Sequence, residues 1–228
     1  MGIQERLYMN LVKDQRWMYL VNGTKNTLII TVFALLIGVI LGFIIAVIRA
    51  THDKTGRLKF VDAVCRLYLT VIRGTPSVVQ LMIAYYCIFT ARFFTGIFVA
   101  SIAFGVNSAA YVAEIIRSGI MSIPDGQMEA GRSLGFNYTE TMRWIIMPQA
   151  LKNVLPAIFN EFIVLIKETS VAGYVGVQDL TKGGDIIRSR TYDSWTSLLM
   201  VALIYLVLTL ALTKLEERFE RRLKQNER

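Results

Sequence analysis

The stretch 26–48, which reads NTLIITVFALLIGVILGFIIAVI, decides the fold class of this chain. It contains no charged residue and has the length of an apolar helix that crosses a lipid bilayer. Uncharged runs of similar length recur at 74–91, 93–113 and 194–213. A small soluble core has no room for four such runs, and the pattern therefore predicts an all-α membrane protein.

The composition agrees with a single bundle of membrane helices. The chain has 228 residues, of which 54% are hydrophobic and only 18% are charged, and its formal net charge is +8. In a chain this apolar, an excess of positive charge indicates cytoplasmic loops rather than a nucleic-acid surface. We therefore expect membrane lipid around the chain and no nucleic-acid partner.

The distribution of basic residues predicts the topology. Arg49, Lys54 and Arg57 follow the first uncharged run, and a basic tail occupies 214–228. The positive-inside rule places both segments in the cytoplasm, so the N-terminus is expected outside and the C-terminus inside. Two segments that are expected outside do not fit this rule, because they also contain basic residues. They are the N-terminal stretch and the glycine-rich segment 172–193.

Five transmembrane helices in three parts of the chain are predicted. Residues 1–25 are expected to form an amphipathic segment in the membrane interface, with a loosely ordered tail as the alternative. The five-helix domain covers 26–213, and the cytoplasmic tail follows it. The fourth span is expected to start after Pro148 or Lys152 and to run outward through Glu161 despite its charges.

The polar segment 123–148, IPDGQMEAGRSLGFNYTETMRWIIMP, interrupts the apolar pattern. It predicts one short helix over 127–134, which Gly135 ends in a left-handed conformation. A second helix is expected after Asn137, which caps it with Glu140 as its capping-box partner. Pro148 is expected to mark the next break. A polar helix pair between apolar spans indicates a docking element for a partner in the water phase.

This segment resembles the EAA loop of ABC-importer permeases. The resemblance rests on the runs 129–131 (EAG) and 145–148 (IIMP), with Gly135 between them. Gly131 stands where that family usually has a second alanine, and Met147 stands where it has leucine. Further motifs at 73–76, 107–117 and 167–170 look like those of the polar amino-acid subfamily, the histidine, glutamine and arginine permeases with a MetI-like transmembrane domain. The resemblance covers about residues 22–215.

The resemblance implies that the loop 120–148 couples the chain to a cytoplasmic ABC ATPase. The residues assigned to this coupling role are Gln127, Glu129, Ala130, Gly131, Gly135 and Pro148. Glu129 offers a charge contact, and Gly131 is expected to let the partner approach closely. The resemblance also implies an ATPase dimer, a second permease subunit that is identical or related, and an extracytoplasmic amino-acid-binding protein, all at the cytoplasmic membrane of a prokaryote.

The chain has no site of its own for ATP. No G-x-x-x-x-G-K-[ST] motif occurs, so ATP and Mg²⁺ are expected on the partner ATPase and the chain itself is expected to be no enzyme. The single histidine, His52, has no ligand partners nearby in the sequence, and Cys65 and Cys87 are expected to be buried free thiols. We therefore expect neither a metal nor a cofactor in this chain.

Glu161 is the sharpest candidate for substrate binding, because a carboxylate inside a membrane span is costly unless it faces water or a partner. We expect it to face a central cavity and to meet the positive group of an amino acid. The alternatives are an ion pair with Lys152 or Lys167, or a position nearer the interface. Glu114 and Arg117, three residues apart, are expected to form a structural pair.

Other polar residues are expected to line the same cavity. Asn107, Ser108 and Tyr111 lie within one helical turn and are expected to share a face, with ordinary hydrogen bonding between helices as the alternative. Thr169 and Ser170 are expected to complete the polar lining from the fourth span.

The second span is expected to break at Arg73, Gly74, Thr75 and Pro76, because proline removes a backbone donor and glycine loosens the turn. The resemblance implies that these residues gate or line the translocation path, while the residues by themselves support only the break. Arg73 is expected either to reach the cytoplasmic edge or to anchor the broken span.

The sequence therefore predicts the permease subunit of an ATP-driven importer of polar amino acids. Glu161 and Glu114, without an intramembrane cluster of arginines, favour basic amino acids and leave glutamine open. An ATP-independent channel or secondary carrier for small polar solutes is the alternative, although no internal repeat supports a carrier. An intramembrane enzyme acting on lipid would need paired catalytic carboxylates, a histidine-based site or metal ligands, and the sequence offers none of these.

Overall fold

The computed structural model describes residues 2–225, and every regular element within that range is helical. The end of the expected basic tail, from 226 onward, lies outside the described residues. The α-helices of the described range are α1 (Ile3–Leu7), α2 (Trp17–Thr55), α3 (Lys59–Arg73), α4 (Ser77–Ile83), α5 (Gly96–Met121), α6 (Asp125–Ser133), α7 (Tyr138–Thr141), α8 (Met147–Glu168), α9 (Leu180–Thr191) and α10 (Ser194–Gln225).

The N-terminal segment turns before the first long helix. A π turn (Tyr8–Val12) and a 3-10 turn (Lys13–Gln15) follow α1. Positive φ angles at Asp14 and Gln15, inside the 3-10 turn, interrupt the helical path before α2. The helix α2 then runs through Lys25 without interruption. The structural break therefore lies well before the boundary that was expected at residue 25.

Asn10 anchors this segment to the corner between α9 and α10. The side chain is fully buried, and its Nδ2 donates to Arg6 O (2.8 Å) and to Asp193 Oδ2 (3.1 Å). Its Oδ1 accepts from the hydroxyls of Thr191 (3.1 Å) and Ser197 (2.8 Å). These four contacts use the full hydrogen-bonding capacity of the amide, so the segment is held on the bundle rather than loose.

The contact between α2 and α5 organises the core. Small buried residues recur at every fourth position of α2: Ala34, Gly38, Gly42 and Ala46. A Cβ at Gly38 would lie 2.9 Å from Ser108 Oγ, and a Cβ at Gly42 would lie 3.0 Å from Ala109 O. Small residues let membrane helices approach closely, so this stripe brings the backbone of α2 against α5.

The predicted break in the second span is confirmed. The helix α3 ends at Arg73, α4 begins at Ser77, and the chain bends by 105° between them. Pro76 has an extended backbone and precedes α4, so its missing N–H falls at the break. Cys65 on α3 is buried as expected, but the expectation for Cys87 is wrong, because this thiol is exposed in the π turn that follows α4.

The two short helices predicted in the polar segment form as α6 and α7. Gly135 between them has a φ angle of 91°. Glu140 N donates to Asn137 Oδ1 (3.0 Å), and Asn137 N donates to Glu140 Oε2 (2.8 Å), which completes the capping box. These local predictions are confirmed, because a cap and a left-handed glycine are determined by residues adjacent in the chain.

The predicted break at Pro148 is wrong. The helix α7 continues through a π turn (Met142–Ile146) directly into α8, with Pro148 in the first turn of α8. In a regular α-helix the ring of Pro148 would clash with the carbonyl oxygen four residues earlier. That carbonyl lies in the π turn, where the helix is wider, so the chain stays helical through Pro148. We call the continuous helical segment 138–168 the α7–α8 rod.

Among the described residues, three helices are long and apolar enough to cross a membrane: α2, α5 and α10. The bent pair of α3 and α4 makes a fourth if it counts as one span. The helix α8 has comparable length but carries Lys152, Glu161 and Lys167. A 3-10 turn (Thr169–Val175) and α9 lie between α8 and α10.

Local polar contacts define α9 within the segment expected outside. Asp179 caps the helix by accepting the N–H groups of Thr181 and Lys182. The side chains of Lys182 and Arg188 donate to Asp185 and hold the pKa of this carboxyl below its usual range.

We expect Gly42→Leu to destabilise the protein, because the new side chain would push α2 away from α5. Overpacking of this kind costs about 1–3 kcal/mol. The melting temperature of the purified protein in detergent should fall clearly below that of the wild type. Val32→Leu adds bulk on the exposed side of the same helix and should leave the melting temperature unchanged. Equal melting temperatures for all three proteins would contradict the close α2–α5 contact.

Candidate functional site

The helix α5 presents polar residues on two faces rather than one. Asn107 Nδ2 donates to Gln80 Oε1 on α4 (2.9 Å), and the Tyr111 ring centroid lies 5.7 Å from the guanidinium carbon of Arg73. Ser108 instead points toward α2 and α8. The expectation of one shared face is therefore wrong for Ser108, because adjacent residues on a helix point about 100° apart.

Glu161 lies where α8 meets α5. The residue is only 7% exposed, and its Oε1 accepts a hydrogen bond from the fully buried Ser108 hydroxyl at 2.8 Å. A buried carboxylate requires a polar partner, and a hydroxyl supplies one without cancelling the negative charge. This hydrogen bond joins two residues that were predicted from the sequence to bind substrate, and the two residues come from different helices.

Arg73 binds Glu114 across the gap between the bent pair and α5. Their closest charged atoms, Arg73 Nη1 and Glu114 Oε2, are 2.5 Å apart. The predicted pair of Glu114 with Arg117 is wrong, because Arg117 Nη1 binds Asp53 Oδ2 at 3.0 Å. Contacts with neighbouring helices therefore replace the contact along α5.

Sequence reasoning missed Gln80. Its Nε2 donates to Ile72 O (2.7 Å) and to Thr75 Oγ1 (2.7 Å), while its Oε1 accepts from Asn107. One side chain therefore links the break between α3 and α4 to α5. A glutamine one helical turn beyond a proline, in an otherwise apolar stretch, is the signal that would have found it.

Asn107 keeps one unpaired polar atom. The residue is 3% exposed, and its Oδ1 has no hydrogen-bond partner within the described range. Leaving a buried acceptor unpaired costs about 1–3 kcal/mol. An oxygen in this state is a candidate contact for a donor on a ligand.

Thr169 and Ser170 are not brought to these residues. Thr169 Oγ1 donates to Ile166 O at 2.9 Å, so its hydroxyl is used at the end of its own helix. Ser170 lines a separate cavity of about 350 Å³ together with residues of α9. The predicted substrate residues therefore lie at three places: the α4–α5 contact, the α5–α8 contact and this separate cavity.

A polar stripe continues along α5 from the level of Asn107. Its members recur every three or four residues: Asn107, Tyr111, Glu114, Ser118 and Ser122. Glu114, Ser118 and Ser122 line a cavity of about 490 Å³ between α5 and α8, and Asn153 on α8 donates to Ser122 Oγ at 3.0 Å. The cavity provides polar surroundings along the half of α5 that leads to α6.

The expected coupling residues lie on α6 and around it. Gln127, Glu129 and Ala130 are exposed. Gly131 is buried, and a Cβ there would lie 2.5 Å from Thr141 Cγ2. The expected close approach of a partner at Gly131 is therefore wrong, because the space beside this glycine is filled by the α7–α8 rod.

A buried carboxylate, also missed from the sequence, holds the corner between α2 and α3. Asp62 is 2% exposed and accepts from Arg66 Nε at 2.6 Å. Arg49 Nε and His52 Nε2 lie 3.5 and 3.7 Å from its oxygens. These partners come from two helices, so their spacing along the chain does not reveal the cluster.

Residues 38–225 match a protein family described as "Binding-protein-dependent transport system inner membrane component". The chain belongs to this family. It is a multi-pass membrane protein of the permease type. Membership removes the basis for the two alternatives raised from the sequence, an ATP-independent channel or carrier and a lipid-modifying enzyme.

Similar permeases serve amino-acid transport systems. The chain is 37% identical over 211 residues to the arginine transport system permease protein ArtQ of Bacillus subtilis (strain 168), covering 92% of this chain and 94% of ArtQ. It is 36% identical over 211 residues to the glutamine transport system permease protein GlnP of Escherichia coli (strain K12), covering 90% and 93%. The resemblance found in the sequence motifs is confirmed.

Chains in solved structures of ABC transporters share the fold. A chain from the crystal structure of an amino acid ABC transporter with histidines has a TM-score of 0.82 and 41% identity, covering 90% of this chain and 94% of that one. A chain of the methionine ABC transporter MetNI in an inward facing conformation has a TM-score of 0.78 at 22% identity, covering 92% and 98%, which shows the fold alone. The predicted all-helical fold is confirmed.

We expect the Arg73–Glu114 contact to tolerate a swap of its charges but not a reversal of one. Arg73→Glu places two carboxylates together and should lower the uptake rate about fivefold, which corresponds to roughly 1 kcal/mol. Arg73→Glu combined with Glu114→Arg should recover most of the rate. Uptake into proteoliposomes, normalised to folded permease, measures both variants. A double variant as impaired as the single one would show that the pair does not act in the working permease.

Proposed function

We propose that this chain is the transmembrane permease subunit of an ATP-driven importer that carries polar amino acids, foremost basic ones, across the cytoplasmic membrane of a prokaryote. The observation that carries the substrate assignment is the buried carboxylate of Glu161 beside Ser108. Named relatives that transport arginine and glutamine support the wider class. Glutamine is the second candidate, because the glutamine permease is nearly as similar to this chain as the arginine permease.

In this proposal α8 is the fourth span and brings the number of spans to five, with the N-terminus outside and the C-terminus inside. The free-energy cost of placing the Glu161 carboxylate in the membrane is reduced by the Ser108 hydroxyl, and the positive group of a bound substrate would reduce it further. Lys152 and Lys167 lie toward the two ends of α8, where long basic side chains reach the interface. The bent pair of α3 and α4 is the second span.

The proposed path follows the polar stripe of α5. An amino acid meets Asn107 and Tyr111 on one face of α5 and Ser108 with Glu161 at the α5–α8 contact. It leaves through the cavity lined by Glu114, Ser118 and Ser122. The Arg73–Glu114 pair stands beside this route, and Gly74, Thr75 and Pro76 supply the bend at which the neighbouring span moves. Thr169 and Ser170 belong to the outer end of the route rather than to the central site.

The proposed coupling element is α6, with Gln127, Glu129 and Ala130 turned toward an ATPase subunit. ATP and Mg²⁺ belong to that partner, which works as a dimer with two permease subunits and an extracytoplasmic binding protein. A push on α6 reaches the α7–α8 rod through the contact of Gly131 with Thr141. Because the rod continues to Glu161 without a break, movement at the ATPase biases the substrate site directly.

We expect Glu161→Gln to weaken transport of arginine selectively. The amide oxygen still accepts from Ser108, so packing is kept while the negative charge is removed. The KM for arginine should rise about tenfold, which corresponds to roughly 1.4 kcal/mol, while the KM for glutamine changes much less. Uptake into proteoliposomes with both substrates measures this, with Glu5→Gln on the exposed α1 as the matched control. An unchanged KM for arginine would end the assignment of Glu161 to substrate.

We expect Gly135→Val to separate the permease from its ATPase. A valine at a φ angle of 91° is strained, and the connection between α6 and α7 must change to relieve it. The ATPase should fail to co-purify, or its hydrolysis should continue without uptake.

Gly56→Val provides the matched control, because Gly56 also has a positive φ angle (67°) and open surroundings but lies between α2 and α3. This variant should lose stability without losing the ATPase. If both valine variants retain coupled uptake, or both lose it equally, α6 and its flanking glycine are not the docking element.

A further inference from the structure

The break between α3 and α4 leaves a backbone oxygen without its usual donor. In a continuous helix the N–H of residue 76 would donate to Ile72 O, but Pro76 has no N–H. Gln80 fills this place, since its Nε2 lies 2.7 Å from Ile72 O. The same nitrogen is within bonding distance of Thr75 O (3.1 Å) and Thr75 Oγ1 (2.7 Å).

The oxygens of Ile72 and Thr75 fix the orientation of the Gln80 amide, and the Gln80 amide in turn fixes that of Asn107. Three oxygens surround Nε2 of Gln80, so the Gln80 amide cannot turn its own oxygen toward them. Its Oε1 therefore points to α5, where only a donor can meet it, and Asn107 presents Nδ2 at 2.9 Å. The orientation of Asn107 follows, and its Oδ1 is the atom that stays unpaired.

The proposal that follows rests on the proposed function of the chain as an amino-acid permease. We propose that Gln80 is a positioning residue, which holds the Asn107 amide so that Oδ1 accepts a hydrogen bond from the α-ammonium group of the transported amino acid. Asn107 touches the substrate, and Gln80 acts through it. The ammonium group is common to arginine and glutamine, so this contact selects α-amino acids as a class and leaves the side chain to be recognised elsewhere.

The position of Gln80 also relates binding to the bend. Oδ1 of Asn107 is buried, and its amide is bonded to Gln80 on α4. In this proposal movement of α4 at the break opens Oδ1 to a ligand. Because the same Gln80 amide bonds both to the break and to Asn107, movement of α4 changes the binding site in one step. When the α-ammonium group of the substrate donates to Oδ1 of Asn107, it supplies the hydrogen bond that is missing in this structure. Substrate binding therefore favours the state in which Oδ1 is accessible.

Two substitutions of Gln80 separate positioning from support of the break. Gln80→Met keeps the shape of the side chain but can neither hold Asn107 nor donate to Ile72 O. Gln80→Glu still offers an oxygen to Asn107 Nδ2, whether it is ionised or protonated. Gln178→Met, which removes an amide far from the break in sequence and between the 3-10 turn and α9, is the control.

The experiment uses the permease–ATPase complex in nanodiscs, and binding of L-arginine and of its desamino analogue, 5-guanidinopentanoic acid, is measured by titration calorimetry. The wild-type complex should prefer arginine over the analogue. Gln80→Met should weaken arginine binding about tenfold, or roughly 1.4 kcal/mol, and leave the analogue almost unchanged. Gln80→Glu and Gln178→Met should keep the wild-type preference, and Gln178→Met should also keep the basal ATPase rate of the wild type.

The outcomes discriminate between the proposal and its foundation. Wild-type preference in Gln80→Met, or equal loss in Gln80→Met and Gln80→Glu, would overturn the positioning role and leave Gln80 as support for the break alone. A uniform loss of arginine and analogue binding in Gln80→Met would do the same. The wild-type complex is also titrated with L-glutamine, and if it binds neither arginine nor glutamine at any concentration tested, the proposed function itself fails.

Discussion

The close approach of α2 to α5 is the constraint on which the rest of the bundle depends. It requires residues without side-chain bulk at one position in every helical turn, and α2 supplies Ala34, Gly38, Gly42 and Ala46. In lipid there is little hydrophobic gain from pairing two apolar helices, so close packing has to provide the stabilisation. With α5 fixed against α2, its remaining surface is free to meet α4 on one side and α8 on the other. The contacts of Asn107 with Gln80, of Ser108 with Glu161 and of Glu114 with Arg73 all start from α5.

This arrangement explains how an apolar bundle accommodates polar side chains. Ser108 occupies the space that Gly38 leaves open and reaches Glu161, while Asn107 meets Gln80. In both contacts a polar side chain is paired with a group from another helix, so the helices are held in one relative position as well as packed. Within these two contacts Oδ1 of Asn107 stays unpaired, on an amide that bonds to Gln80 just after the break in the second span.

The sequence predicted the features that depend on neighbouring residues. Uncharged runs predicted the membrane helices, Pro76 predicted the bend, and Asn137 with Glu140 predicted the capping box. Contacts between helices could not be predicted in this way, because Arg73 finds Glu114 only after the chain has folded. Ser108 was placed on the wrong face because a one-residue step turns a side chain by about 100°. The four-residue repeat of α2 was readable from the sequence and would have located the principal helix contact.

The π turn between α7 and α8 (Met142–Ile146) affects the direction in which later side chains of the rod point. A π turn contains one residue more than an α turn, so it shifts the phase of everything that follows by about 100° around the helix axis. Glu161 lies downstream on the same rod, and its azimuth toward Ser108 therefore depends on that additional residue. A reversible change between π and α geometry at this turn would rotate the carboxylate relative to α5 while α6 keeps its position. The rod can in principle convey torsion as well as displacement.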